Sequence, residues 1–541
     1  MSVFSPYLAS PAHPDTRSLA TVLEWPGLAG KKDQTLVEAL WRWLIDRRIG
    51  TYHFLDPIEE PGEPLTGDPV KDPIRLLNSY GYMLCGSHAM LTASVLRQTG
   101  YQARVTGLTG HNVAEVFYDG AWHCIDVDMH ALHYRREGDR LVIASCAELC
   151  ANPELVARPI KPTEPYYLPD RDPADVARNQ YRPGFCRYWP AYWYQLHSLE
   201  FALRPGESLT YYHGPQGRFH YPPALVRHLK RWHPSGWDGP RERFEPARTY
   251  ANACLCYRPK VPHDLSGPGV DCVGLEPSGS ALRATTAENE LTIRLISPYV
   301  IVGRTPDLAR PERKCDGATV RLASSARPTV RLRVPFSQRE QELPLASEGG
   351  FWQADFTEAV DGSYEYELSI RLPVGAELSD LELTTWLQVA PCALPHLSAG
   401  TTEMTLRLGD QFGLASLPRI VDLVRSARRD SSLVVRGRLQ DDPRLKLVGD
   451  DGVELAAPLI GPAHARLAWI KLWAAVQSDQ QPVDPSRSVR LEIAVDRGGP
   501  WSVLSEQPVQ ADHQRYHFSV EAVHRFDSPR QQCWARLVSP N

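Results

Sequence analysis

From Leu36 to Ile49 the run LVEALWRWLIDRRI sets Leu36, Leu40, Trp43 and Leu44 at helical spacing, and Gly50 stops it. After a Pro/Gly-rich connection (Asp56 to Pro73), a second helix is predicted to start near Cys85 and to end at Gly100 in the C′ position. The period then falls to two. Ala103–Leu108, His111–Tyr118 and Ala121–Asp128 read as strands, the last two joined by the hairpin turn Asp119-Gly120. From about 275 alternating runs dominate: Leu291–Ile296, Thr319–Leu322, Thr329–Val334, Tyr364–Leu372 and Leu381–Val389. A second series includes Met404–Leu408, Ser432–Leu439, Ala465–Val476, Val489–Val495, His517–Val520 and Cys533–Val538. Short strands with such punctuation predict two β-sandwiches, meeting near residue 400 where Pro391 to Gly400 reads as a connection. The stretch 151–274 is different, dense in proline and in aromatics between Tyr181 and Trp237. Those aromatics are read mainly as core between domains, with stacking on a sugar as the alternative.

At 541 residues the chain exceeds one ordinary hydrophobic core. The expected division is an irregular lead-in over 1–30, a core over 31–150, a connecting region over 151–274, and sandwiches over 275–400 and 401–541. A net charge of −5 on 59 basic and 64 acidic residues gives neither a nucleic-acid-binding field nor an acidic tail. No apolar run approaches the ~18 residues of a membrane helix, so no membrane span is expected. The stretch Met1–His13 has no basic residue and no apolar core of a secretory signal, which favours a cytoplasmic address. The 11 cysteines form no CxxC pair and no regular spacing, against both a zinc ribbon and a disulfide scaffold.

Cys85 sits at the predicted start of a helix, where unpaired N–H groups and the positive end of the dipole favour a thiolate. A nucleophile needs a base, and His111 opens the hairpin. With a two-residue loop at 119–120, paired positions sum to 239, so His111 faces Asp128 and Val113 faces Asp126. His111, Asp126 and Asp128 then share one sheet face, and spacing alone leaves both carboxylates open as partners of the histidine.

The text GYMLCGSHAMLTASVLRQTGYQARVTGLTGHNVAEVFYDGAWHCIDVDMH resembles the transglutaminase-like core, also found in bacterial cysteine hydrolases and peptide N-glycanase-like proteins. The shared pattern is a helix led by cysteine, a histidine opening a strand, and an aspartate after a tryptophan in the next strand. The resemblance implies Cys85 as nucleophile, His111 as base and Asp126 as third member, since Asp126 follows Trp122 at the family's interval. The helix Leu36–Ile49 looks like the element upstream of the cysteine. One departure is Asn112, which follows His111 where the family often has an aromatic residue. The likeness spans 100 to 130 residues.

The fold class that follows is α+β, a papain/transglutaminase-like catalytic core followed by all-β sandwich modules. The implied activity is that of a cysteine hydrolase or acyltransferase that cleaves amides through a thioester, with hydrolysis preferred because no EF-hand calcium pattern is present. Its substrate would be a peptide, protein or glycopeptide, with no cofactor, and the chain leaves the oligomeric state open. The alternative is a non-catalytic scaffold that binds a peptide or glycan. Asp126-x-Asp128-x-His130-x-x-His133, with His123 nearby, also invites a metal reading, but no HExxH accompanies it and no metal is expected. His88 is expected to face another side of its helix from Cys85, or to pack. Cys254, Cys256, Cys146 and Cys150 read as packing residues.

Overall fold

A computed structural model describes residues 2–46, 48–53, 70, 72–161, 172–182, 186–189, 197, 199–214, 216, 251–302, 306–307, 310–314, 317–334, 339–397, 399–409, 430–436, 438–440, 446–448, 453–460, 467–478, 488–508 and 516–539. The fold is mixed α+β and rich in sheet. Two compact units divide the chain: Met1–Ala103, Leu108–Cys186 and Trp193–Leu414 make the first, and Arg104–Gly107, Arg187–Tyr192 and Ala415–Asn541 the second. Among the described residues no helix is long and apolar enough to cross a membrane.

In the first unit, helix α1 (Asp33–Ile45) buries Leu36, Leu40, Trp43 and Leu44, the stripe that the helical spacing marks, with Val37 and Trp41 beside them, and it ends at Ile45, short of the expected Ile49. Helix α2 (Cys85–Gln98) ends as expected, with Gly100 at φ +89 in the C′ position beyond the cap Thr99. Strand β1 (Gln102–Leu108), whose residues Arg104–Gly107 are counted with the second unit, precedes the hairpin of β2 (His111–Tyr118) and β3 (Ala121–Ile125). The hairpin register is the one counted from the turn, from Tyr118 opposite Ala121 to Ala114 opposite Ile125. The ladder stops there, however. Asp126 pairs instead with Ala131 across a tight turn, so the expected strand Ala121–Asp128 is three residues too long.

The lead-in is more regular than expected. Its helix Leu19–Leu23 is closed by a reciprocal Ser18/Thr21 capping box, and Tyr7–Ala9 pairs with Thr405–Arg407. That second segment was expected to open the last sandwich, yet it belongs to the first unit.

Two sheets of the first unit enclose one apolar core. The larger contains β4 (Glu207–Tyr212), β5 (Ala251–Tyr257), β7 (Ala318–Ser324) and β10 (Glu377–Val389); the smaller contains β6 (Glu290–Ile296), β8 (Thr329–Val334) and β9 (Glu365–Arg371). Every second residue points into the shared core: Leu291, Ile293 and Leu295 from β6, Val330, Leu332 and Val334 from β8, Tyr366, Leu368 and Ile370 from β9. The strands begin earlier than residue 275, because β4 and β5 complete the larger sheet from inside the expected connecting region. Part of the aromatic cluster serves this layer: Tyr212 stacks on Trp386 and Tyr211 meets Tyr299 edge-on. The cluster members at 190–196 and 217–250 lie outside the described residues.

The second unit holds a five-stranded sheet that includes β11 (Val453–Ile460), β13 (Ser488–Ala494) and β15 (Gln532–Ser539). A two-stranded ladder, β12 (Leu467–Ser478) with β14 (Tyr516–Arg530), shares its core through Ile470, Leu472 and Ala522 against Val489, Leu491, Ile493 and Cys533.

One contact fixes the segment before Cys85 in the first unit. A single π-helical turn, Leu76–Tyr80, ends at Gly81 with φ +72, and a Cβ on that glycine would lie 3.0 Å from the Cβ of Ala390. Gln388 Nε2 donates to the Ser79 carbonyl (2.9 Å) and the Ala390 N–H to the Asn78 carbonyl (2.8 Å), so the end of β10 grips this turn.

The buried pair Arg204–Glu207 links the two sheets of the core. Arg204 Nη2 lies 2.7 Å from Glu207 Oε1, and its Nη1 donates to the Arg294 carbonyl on β6 (3.0 Å). Removing the carboxylate with Glu207→Gln leaves a guanidinium buried without its counter-charge, so equilibrium urea unfolding should show a loss of about 3–5 kcal/mol. The double replacement Arg204→Met/Glu207→Leu should cost much less. A Glu207→Gln loss below about 1 kcal/mol would mean that water screens the pair.

Candidate functional site

Cys85 is the first residue of α2, and Leu84, its N-cap, offers no side-chain hydrogen bond to the helix end. The thiol is half-buried, whereas His111, Asp126 and Asp128 are buried. Helix α2 packs along β2, which carries His111 at its start. Cys85 Sγ, a ring nitrogen of His111 and a carboxylate oxygen of Asp128 all lie within 4.8 Å of one another. On the other side of the ring, His111 Nε2 stands 2.9 Å from Asp126 Oδ2. The structure therefore brings together all three residues singled out from the sequence.

Asp126 is held from three directions. Its Oδ1 accepts the Met129 N–H (2.9 Å), its backbone carbonyl accepts Trp41 Nε1–H from α1 (3.0 Å), and its backbone pairs with Ala131. The early end of β3 is thus what aims this carboxylate at His111: the chain turns away from the ladder at Asp126, and the turn's own N–H groups fix the side chain. Burial by itself pushes the His111 pKa down. The charge and hydrogen bond of Asp126 oppose it, helped by the hydrogen bond with Cys85 and the charge of Asp128, and together they hold the imidazole well above its ordinary value of 6.5.

Asp128 is a full member of the site. Its Oδ2 is 3.7 Å from His111 Nδ1, on the cysteine side of the ring, and its Oδ1 is 3.2 Å from His88 Nδ1. Of the two expectations for His88 it is packing that holds: the ring is buried, and it meets Asp128 instead of facing away from the site. Thr51 Oγ1 donates its single proton to the Leu44 carbonyl (3.0 Å), so at 3.1 Å it accepts from His88 Nε2–H.

Asn112 Nδ2 donates to Cys85 Sγ at 3.8 Å. The amide adds a neutral donor beside the sulfur. Asn112 and His88 carry a legible signal, one adjacent to His111 and the other at helical spacing from Cys85. Thr51 and Trp41 carry none.

The other histidines of the Asp126–His133 run do not converge. His123 Nδ1 and Nε2 face the carbonyls of Ile143 (2.7 Å) and Tyr118 (3.2 Å). Burial lowers the His133 pKa to about 4 against the pull of Asp126, and its ring packs edge-on to Tyr181.

No protein-family model and no curated protein matches the chain. Among solved structures it aligns with coconut allergen cocosin at 10% identity and a TM-score of 0.09, over 50% of this chain and 85% of that one. A likeness so slight carries no argument, and the site must be read from its own geometry.

Because the folded pKa of His111 is raised, the stability it contributes is complete below the unfolded value near 6.5 and fades as pH rises through the folded value. Asp126→Asn removes the main raising charge and lets burial dominate. An NMR titration of the His111 ring should show wild type still protonated at pH 7, and the variant neutral there. An unchanged titration would assign the raised value to Asp128.

Proposed function

We propose that the chain is a cysteine-dependent hydrolase or acyltransferase with a transglutaminase-like core, acting on amide bonds of a peptide, protein or glycopeptide. The observation that carries this reading is the His111 ring, held between Cys85 on one side and Asp126 on the other. A half-buried sulfur at an uncapped helix start, beside a histidine locked by a buried carboxylate, is the arrangement that nucleophilic acyl transfer requires. Neither neighbour of the ring is easily explained by packing alone.

In this mechanism the Cys85 thiolate attacks the amide carbonyl, and a C–S bond forms as the C=O electron pair moves to oxygen. His111, protonated, gives its proton to the leaving amine as the C–N bond breaks. Asp126 fixes the ring and stabilises the imidazolium without itself taking the proton. Water then adds to the thioester with His111 as base; an amine in its place gives transamidation. The developing oxyanion needs donors within about 3 Å. The backbone N–H of Cys85 is one, and Asn112 Nδ2, already directed at the sulfur, is the second.

Iodoacetamide followed by peptide mass spectrometry gives the test of nucleophilicity. Cys85 should be alkylated well ahead of the other ten cysteines at neutral pH. Asn112→Ala should leave that alkylation nearly unchanged, since no oxyanion forms, while lowering kcat for an amide substrate by about 10²–10³ at similar KM. Alkylation of Cys85 no faster than that of its fellows would favour a non-catalytic scaffold. A fall in alkylation equal to the fall in kcat would make Asn112 a residue that positions the thiol only.

A further inference from the structure

Asp128 has no part in the acyl-transfer scheme, yet it is buried beside the sulfur, where a second negative charge opposes a thiolate. It completes a triangle of three ligand-type side chains with Cys85 and His111. We infer that Cys85 Sγ, His111 Nδ1 and an Asp128 carboxylate oxygen form a zinc site, and that zinc and acyl substrates compete for the same thiol.

Donor chemistry, geometry and the surrounding shell all favour this reading. Thiolate, imidazole and carboxylate are the three ligand types of protein zinc sites, and the soft thiolate disfavours the hard cations magnesium and calcium. Ligand atoms about 2.0–2.3 Å from a tetrahedral zinc stand roughly 3.3–3.8 Å from one another. His111 Nδ1 and Asp128 Oδ2 are already 3.7 Å apart, and the whole triangle closes within 4.8 Å, so small side-chain rotations suffice.

The outer shell is also in place. A metal-bound histidine ordinarily gives its other ring N–H to a carboxylate, and His111 Nε2 faces Asp126 Oδ2. Asp128 keeps its second oxygen on His88, which is anchored by Thr51. Because Cys85 is only half-buried, the fourth position would be open to water or to substrate. Binding displaces the proton that the thiolate–imidazolium pair holds on His111 Nδ1: the Nδ1–H bond breaks, S–Zn and N–Zn bonds form and the proton goes to solvent, so affinity should rise with pH.

This site stands on the ligand geometry and not on amide cleavage, and its test is kept separate from that activity. Cys85 alkylation by iodoacetamide is followed in metal-free protein and in protein with one equivalent of ZnCl2, with EDTA added last. Zinc should slow Cys85 alkylation at least tenfold and EDTA should restore it, with the remaining cysteines unaffected. Asp128→Asn should need at least tenfold more zinc for the same protection. Cobalt(II) supplies a second measurement that is independent of that variant's folding: wild type should show a thiolate-to-cobalt charge-transfer band that Cys85→Ser lacks. Undiminished alkylation of Cys85 in zinc, equal protection in folded Asp128→Asn, or a cobalt band that survives in Cys85→Ser would each overturn the inference. Fast alkylation in metal-free protein with no protection by zinc would remove the metal site alone and leave the nucleophile standing.

Discussion

A carboxylate and an imidazole, both buried, face each other at 2.9 Å, and the chemistry open to Cys85 depends on that pair. Burial alone pushes an imidazole down, as it does at His133, to about 4. Burial is the largest single influence on His111, and Asp126 leads the groups that together outweigh it, with the hydrogen bond of Cys85 and the charge of Asp128 beside it. Such an arrangement is costly to build. It persists only because each partner is held by groups other than the pair itself.

Those supports come from distant parts of the first unit. Trp41 on α1 and the turn through Ala131 fix Asp126, while His111 opens β2, against which α2 packs. Cys85 is placed by the π-helical turn before it, whose carbonyls are gripped by Gln388 and Ala390 at the end of β10. The layered sheets are therefore more than an appended module. The C-terminal end of β10, an interior strand of the larger sheet, holds the turn that leads into the helix carrying Cys85.

The local elements of this site were legible because local rules determine them. Asp119-Gly120 fixes a two-residue turn, and the count from that turn gave the register of every pair that forms. Gly100 marks the end of α2 because a positive φ suits no other residue as well. The count failed one step further on, at Asp126, where side-chain hydrogen bonds to the following turn outcompete the ladder. No periodicity encodes that competition. Nor does it encode non-local closure: that β4 and β5 join the larger sheet, that Tyr7–Ala9 pairs with Thr405–Arg407, and that Thr51 reaches His88 are facts of tertiary packing. The role of Asp128 was half legible, since spacing put it on the correct face but could not show that His88 shares it.

Covalent acyl transfer to Cys85 is the central claim, and trapping the intermediate tests it most directly. The protein would be mixed with a library of peptide and glycopeptide amides, quenched in acid within the first turnover, digested and analysed by mass spectrometry. The account predicts an acyl group on the Cys85 peptide, released by hydroxylamine as a thioester must be, and absent from Cys85→Ser. Turnover of an amide with no adduct at Cys85, and undiminished in Cys85→Ser, would contradict it.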